Sequence, residues 1–217
     1  MGLLKAAGLV ALYVAATRLG VKLEKMQEDA RILWPQAGVA LGGLLVLGPR
    51  YWPAVAAGSL LVTTAGMSGR SDVSFPLGMS LGFAAGNTLG ALLGAWGLRR
   101  FCQFDNAVGR VRDVYAFLLF GIVIGPLAGA SIVVPSFVLF ETGARAAAAE
   151  LFARRVFGHA LSNMVLAPVL LAWTRPLKSR WPLARVAEGL LLLELGVIHA
   201  ATLQGFGQPR NTHRQAV

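Results

Sequence analysis

Long apolar runs alternate with short polar breaks along this whole chain. A helix needs roughly 17 to 25 mostly apolar residues to cross a hydrocarbon core about 30 Å thick. On that scale the pattern predicts seven spans, at 3–19, 32–48, 51–67, 75–98, 114–140, 151–173 and 184–203. The breaks between them reach about fifteen residues at most, too few for a soluble catalytic domain. Only Gly48-Pro49-Arg50 joins the second and third spans, which predicts a tight antiparallel hairpin. Pro126 and Pro135 predict a kink or break in the fifth. The expected fold is all-α: a polytopic integral membrane helical bundle of about seven transmembrane helices over 1–206, with a polar tail at 207–217.

The first run follows Lys5 and so also has the form of a signal peptide. No disulfide-using soluble part follows it, so an uncleaved first helix is expected. Tryptophan supports the boundaries, because indole prefers the water–lipid border. Trp34, Trp52, Trp96, Trp173 and Trp181 all fall at or just beyond a predicted helix end.

Composition sharpens the class. Hydrophobic residues make up 56% and charged residues 14% of the 217, with a mean hydropathy of +0.63. A globular domain carries about 25% charge. The net charge of +10 does not mark a nucleic-acid groove, because the Lys and Arg residues are scattered over every loop. Placing the N-terminus in the cytoplasm puts ten of them on each side, so the positive-inside count alone does not orient the chain. The denser clusters at 99–113 and 174–183 suit an anionic cytoplasmic leaflet and favour that placement. Cys102 is the one cysteine, which rules out an intramolecular disulfide and a thiolate metal cluster.

Glycine supplies the first packing signal. Gly78, Gly82, Gly86, Gly90 and Gly94 recur at every fourth position across the fourth span, and Gly121, Gly125 and Gly129 repeat the device in the fifth. Lipid gives helices no hydrophobic reason to pair, so close backbone approach through small residues must hold them together. The two spans are expected to pack through these stripes. A flexible gate is the competing use of the same glycines.

Polar groups at membrane depth carry the chemistry. Arg155, His159 and Asn163 are spaced by four and share one helix face, with Ser162 beside them. Asn87 and Thr88 fall mid-span in the fourth helix, and Gln36 just inside the mouth of the second. Pro168 withdraws a backbone N–H and frees the carbonyl of Met164. Two readings stand: a small polar cavity for a ligand or proton, or interhelical glue with snorkelling arginines. The cavity reading names Gln36, Asn87, Arg155, His159, Ser162 and Asn163.

Catalytic motifs are lacking. The G-x-S-x-G elbow is absent, since Ile132 and Val133 follow Ser131. Ser131 with His159, or Cys102 with His159, is supported by residue type alone. No metal-ligand spacing, Walker loop or dinucleotide fingerprint occurs. The chain is expected to be no enzyme and to need no cofactor or metal.

Four ordered motifs, ILWPQAGVALGGLLVLGPRYWPAVAAGSLL (32–61), GNTLGALLGAWGLRR (86–100), IVIGPLAGA (122–130) and VFGHALSNMVLAPVLLAW (156–173), resemble the membrane-associated sensor domain of the first type, the MASE family. The marks of the resemblance are Trp34, Pro35 and Gly38, Trp52 and Pro53, Asn87 with Arg99 and Arg100, Gly125 with Pro126, and Pro168. It implies a sensory input module in the inner membrane of a bacterium, serving a histidine kinase or a cyclic-di-GMP enzyme. The partners it implies are lipid and such a signalling protein, with a second copy of the chain a further candidate. Two departures stand out. Gly90 and His159 occupy positions where family members often carry a carboxylate, and neither the eighth helix nor an output domain follows residue 206. A small transporter or channel built on the same polar groups is the alternative function. It would show discontinuous helices or an internal repeat.

Overall fold

The computed structural model describes residues 2–26, 34–65, 77–102, 111–141 and 145–173, and every regular element within them is helical. In order these are α1 (Gly2–Met26), α2 (Pro35–Leu47), a 3-10 turn (Pro49–Tyr51), α3 (Trp52–Thr64), α4 (Leu77–Cys102), α5 (Val111–Ala116), a π-helical stretch (Phe117–Ile124), α6 (Gly125–Phe140) and α7 (Ala148–Trp173). α5, the π stretch and α6 follow one another without a break and form one rod. The chain is therefore the all-α membrane bundle that its apolar runs predict. Four stretches are long and apolar enough to cross a bilayer: Gly2–Lys22, Leu77–Phe101, Val111–Phe140 and Ala148–Trp173. The expected span at 184–203, the basic loop at 174–183, Trp181 and the tail at 207–217 lie outside the described residues. Cys102 closes α4 and does not stand in a loop.

α2 and α3 depart from expectation. Each has 13 residues and, at 1.5 Å per residue, spans about 20 Å, short of a 30 Å core. Proline sets both starts. Pro35 and Pro53 take the first helical turn, where the missing N–H costs nothing. Gly48 ends α2 with φ of 107°, a conformation that glycine adopts freely, and lets the chain turn at once into the 3-10 segment. The two helices do not pack as the hairpin that their short link suggests. α2 lies chiefly against α7, and α3 against α4 and α1.

α2 runs in the same direction as α7. Gly38 faces Ser162 and Leu166, and Gly42 faces Ala167 and Leu170. The Trp34 N–H, just before α2, donates to Ser162 Oγ at 2.9 Å. Ser162 is the fifteenth residue of α7, about 21 Å from its start. The amino end of α2 thus sits halfway along a full-length helix, and Trp34 stands at mid-bundle, away from the expected border position. The carboxyl end is held differently. Arg99 Nη2 donates to the Leu45 carbonyl and, at 3.4 Å, to that of Leu44, which also accepts from the Gly48 N–H at 3.0 Å, so a charged side chain reinforces the last turn of the helix. From Pro35 to Leu45 every residue of α2 is buried, so this short helix is the core around which α1, α4 and α7 gather.

α4 and α6 pack antiparallel through their glycines. Gly86 meets Gly129, Gly90 meets both Gly125 and Gly129, and Gly94 meets Phe120 and Gly121. A Cβ on Gly90 would stand 2.7 Å from the Gly125 carbonyl oxygen, and one on Gly125 would stand 2.8 Å from that of Gly90. Contact at that distance is backbone on backbone, the close approach on which helix pairing in lipid depends. Gly78 meets the Phe140 ring and Gly82 the Ser136 side chain, so the stripe is occupied along its length within one chain. Leu93, Leu119, Phe157 and Trp173 remain exposed on the outside of the bundle, where lipid is their solvent.

A polar centre at the amino end of α2

Arg155, His159 and Asn163 line up on the face of α7 that turns inward, and each is more than nine-tenths buried. Arg155 Nη2 donates to Asn87 Oδ1 of α4. The amide is thereby oriented, and its Nδ2 donates to Ser59 Oγ of α3 at 2.9 Å and to the Tyr13 hydroxyl of α1 at 3.2 Å. One asparagine so links four helices. The guanidinium also lies over two aromatic faces, 5.5 Å from the Trp34 ring centre and 5.1 Å from that of Phe83. Such faces attract a cation electrostatically. No carboxylate pairs with Arg155 among the described residues. Its neighbour Arg154 is the solvent-side partner of the pair, bonded to Glu150 one turn back, with both side chains more than half exposed.

Asn163 reaches the other way. Its Nδ2 donates to the Gly121 carbonyl in the π stretch at 2.7 Å. The sequence of the rod explains why that carbonyl is available. Gly125 N–H bonds back five residues to the Phe120 carbonyl. The next bond in that pattern would run from residue 126 to Gly121, but Pro126 has no N–H. Asn163 supplies the missing donor.

Three buried polar atoms in this centre have no partner: Arg155 Nε, His159 Nε2 and Asn163 Oδ1. His159 stacks its ring at a tilt near Trp34, with 6.2 Å between centroids. Beside it lies a cavity of about 20 Å³, lined by Tyr13, Ala37, Asn87, Gly90, His159 and Asn163 among others. That is room for one water-sized guest. Pro126 also borders it.

The structure brings together most of the residues singled out from the sequence. Asn87, Arg155, His159, Ser162 and Asn163 converge. Gln36 is buried in the first turn of α2, beside Trp34 and Pro35. Ser162 Oγ donates to the Gly158 carbonyl while accepting from Trp34, so its proton is committed and it anchors α2. Trp52 is half exposed at the start of α3 and Pro168 lies inside α7, while the Met164 side chain faces outward, away from the centre. Ser131 donates to the Leu127 carbonyl on an exposed face. Tyr13, Ser59 and Phe83 were missed. The first two are polar groups within predicted spans and could have been included on that ground. Phe83 carries no signal, since an aromatic in a membrane span reads as lipid-facing or core.

The family model for MASE1 matches residues 6–209 of the chain. Among the curated proteins and among the solved structures nothing matches.

Proposed function

Because this chain belongs to the MASE1 family of membrane-associated sensor input domains, we propose that it is the sensory input of a bacterial inner-membrane signalling system and that the Arg155–Asn87–Asn163 centre is its responsive part. It performs no catalysis itself. Its output is a histidine kinase or a cyclic-di-GMP enzyme on the cytoplasmic side. A ligand can move such a module only by binding two helix arrangements with different affinity. The observation that carries the reading is the pair of bonds from α7. Arg155 holds α1, α3 and α4 through Asn87, and Asn163 holds the π stretch through Gly121. A guest that engages Arg155 competes with the first set, and one that engages Asn163 competes with the second. π-helical turns inside α-helices are rare and recur at functional sites, and a rod that changes between π and α winding rotates and shifts its α5 end.

The test is a chimera in which this chain replaces the input module of a family member bearing a cyclic-di-GMP synthase. Asn163→Ala and Arg155→Gln should each change product formation at least threefold at equal membrane levels. Output indifferent to both substitutions would defeat the reading.

One observation favours a second reading. α2 and α3 are half-length helices, and α2 begins at mid-bundle, as the discontinuous helices of transporters do. Proteoliposomes loaded with a panel of small solutes separate the two, because sustained, Arg155-dependent flux belongs to a transporter alone.

A further inference from the structure

We propose that the cavity beside His159 is a binding site for one internal water molecule, and that this water joins the two bonded parts of the polar centre. The inference rests on the cavity and its walls alone, so it stands apart from the sensory reading.

The first part is built on Asn87, whose amide is engaged by Arg155, Ser59 and Tyr13. The second is the bond from Asn163 to the Gly121 carbonyl. Among the described residues no side-chain hydrogen bond runs from one part to the other. The cavity touches both: Tyr13 and Asn87 line it from the first, Asn163 from the second, and His159 beside them. A guest there links Tyr13 of α1 with His159 and Asn163 of α7 and leaves the protein's own bonds in place.

The chemistry of the walls selects the guest. Asn163 Nδ2 is committed to Gly121, so what remains of this amide is its oxygen, buried and without a partner. An amide oxygen only accepts. His159 Nε2 is likewise buried and without a partner. The Tyr13 hydroxyl accepts from Asn87 and keeps its own proton to donate. Ala37, Ala40, Ala91 and Pro126 add apolar wall. The guest must therefore donate to Asn163. A halide has no proton to give, and a cation finds no carboxylate among the lining residues to balance it. An apolar gas satisfies neither bare atom. Water donates to Asn163 Oδ1, bonds His159 Nε2 in either tautomer of the ring, and accepts from Tyr13. Three partners are the usual complement of an internal water. Size agrees, because the cavity of about 20 Å³ exceeds the roughly 10–15 Å³ that one water needs. Bare polar atoms at membrane depth are costly, which favours retention of the guest.

The test uses the full chain in nanodiscs and ¹⁷O-enriched water as the probe. Relaxation dispersion of the ¹⁷O signal counts waters held longer than the surface layer, and comparison of wild type with variants isolates the one in this cavity. Ala91→Val fills the space with methyl groups. It should remove one long-lived water per protein and lower the unfolding midpoint, since Asn163 Oδ1 and His159 Nε2 are then left bare. Ala37→Ser brings a hydroxyl to the cavity in place of the water. It should remove the same water at a nearly unchanged midpoint, and it decides the matter alone if the valine variant does not fold. A dispersion amplitude equal to that of wild type in every variant that folds would overturn the site. Loss of the water with the midpoint unchanged in Ala91→Val would overturn its role in joining the two parts.

Discussion

Asn163 Nδ2 lies 2.7 Å from the Gly121 carbonyl oxygen, and the two residues, 42 apart in sequence, close a bond that Pro126 leaves open. The proline removes a donor from the π-wound ladder, and a side chain from another helix replaces it. In hydrocarbon no water can do this, and an unsatisfied carbonyl is costly.

Asn163→Ala should therefore destabilise the protein by about 1–3 kcal/mol, the cost of a buried acceptor left bare. Pro126→Ala restores an N–H that can close the ladder to Gly121. In that background Asn163→Ala should cost much less. A double-mutant cycle on unfolding in detergent checks this. Additive costs would show that the amide and the proline act independently.

Gly90→Ala tests the α4–α6 contact. The added methyl would stand 2.7 Å from the Gly125 carbonyl and 3.2 Å from Gly129 Cα, where only backbone can give way. We expect a loss of about 1–3 kcal/mol, the usual cost of overpacking a tight site. Gly8→Ala is the control. Nothing lies within 4 Å of its added methyl, so it should be neutral or gain up to about 1 kcal/mol of helix propensity. Equal thermal shifts from the two substitutions would remove the stripe as a packing device.

The contrast between those glycines shows what the sequence made legible. A four-residue repeat of small residues can be read directly, because lipid leaves few other ways to join helices. The shared face of Arg155, His159 and Asn163 follows from helical spacing alone. The half-length α2 does not, because the apolar run at 32–48 is long enough for a crossing. What shortens it is tertiary: Pro35 sets the start where Ser162 can accept the Trp34 N–H, and Arg99 closes the end. The link at 48–50 suggested a hairpin, yet it joins helices that pack on different partners. The π stretch was equally hidden. No local pattern in residues 117–124 announces it, and its bond to Asn163 joins residues 42 apart.

Arg99 tests the other end of α2. Arg99→Ala removes a donor from the Leu45 carbonyl and the longer bond to that of Leu44, which keeps the Gly48 N–H; both residues are fully buried. We expect a loss of about 1.5–3 kcal/mol, the range for a hydrogen bond from a charged group. Arg100→Ala should be near neutral, because Arg100 is exposed. Amide exchange read by mass spectrometry should show faster exchange in peptides covering 45–52 for the first variant only. Unchanged exchange there would mean that Gly48 ends the helix unaided.

The attachment of α2 to α7 supplies the last test. Trp34 N–H, Ser162 Oγ and Gly38 form one junction: the hydroxyl accepts the bond, and the missing side chain at residue 38 lets the two backbones come close enough. Ser162→Ala leaves the Trp34 N–H without an acceptor, at about 1–3 kcal/mol. Gly38→Ala puts a methyl against the Ser162 carbonyl and 2.6 Å from Leu166 Cβ, which forces the helices apart and stretches the same bond. The two substitutions damage one contact, so the double variant should lose less stability than the sum of the singles. Unfolding midpoints of the four proteins in detergent give the coupling directly. A coupling near zero would mean that Ser162 and Gly38 hold α2 by separate means, and that the start of this helix is not fixed by the Trp34 bond.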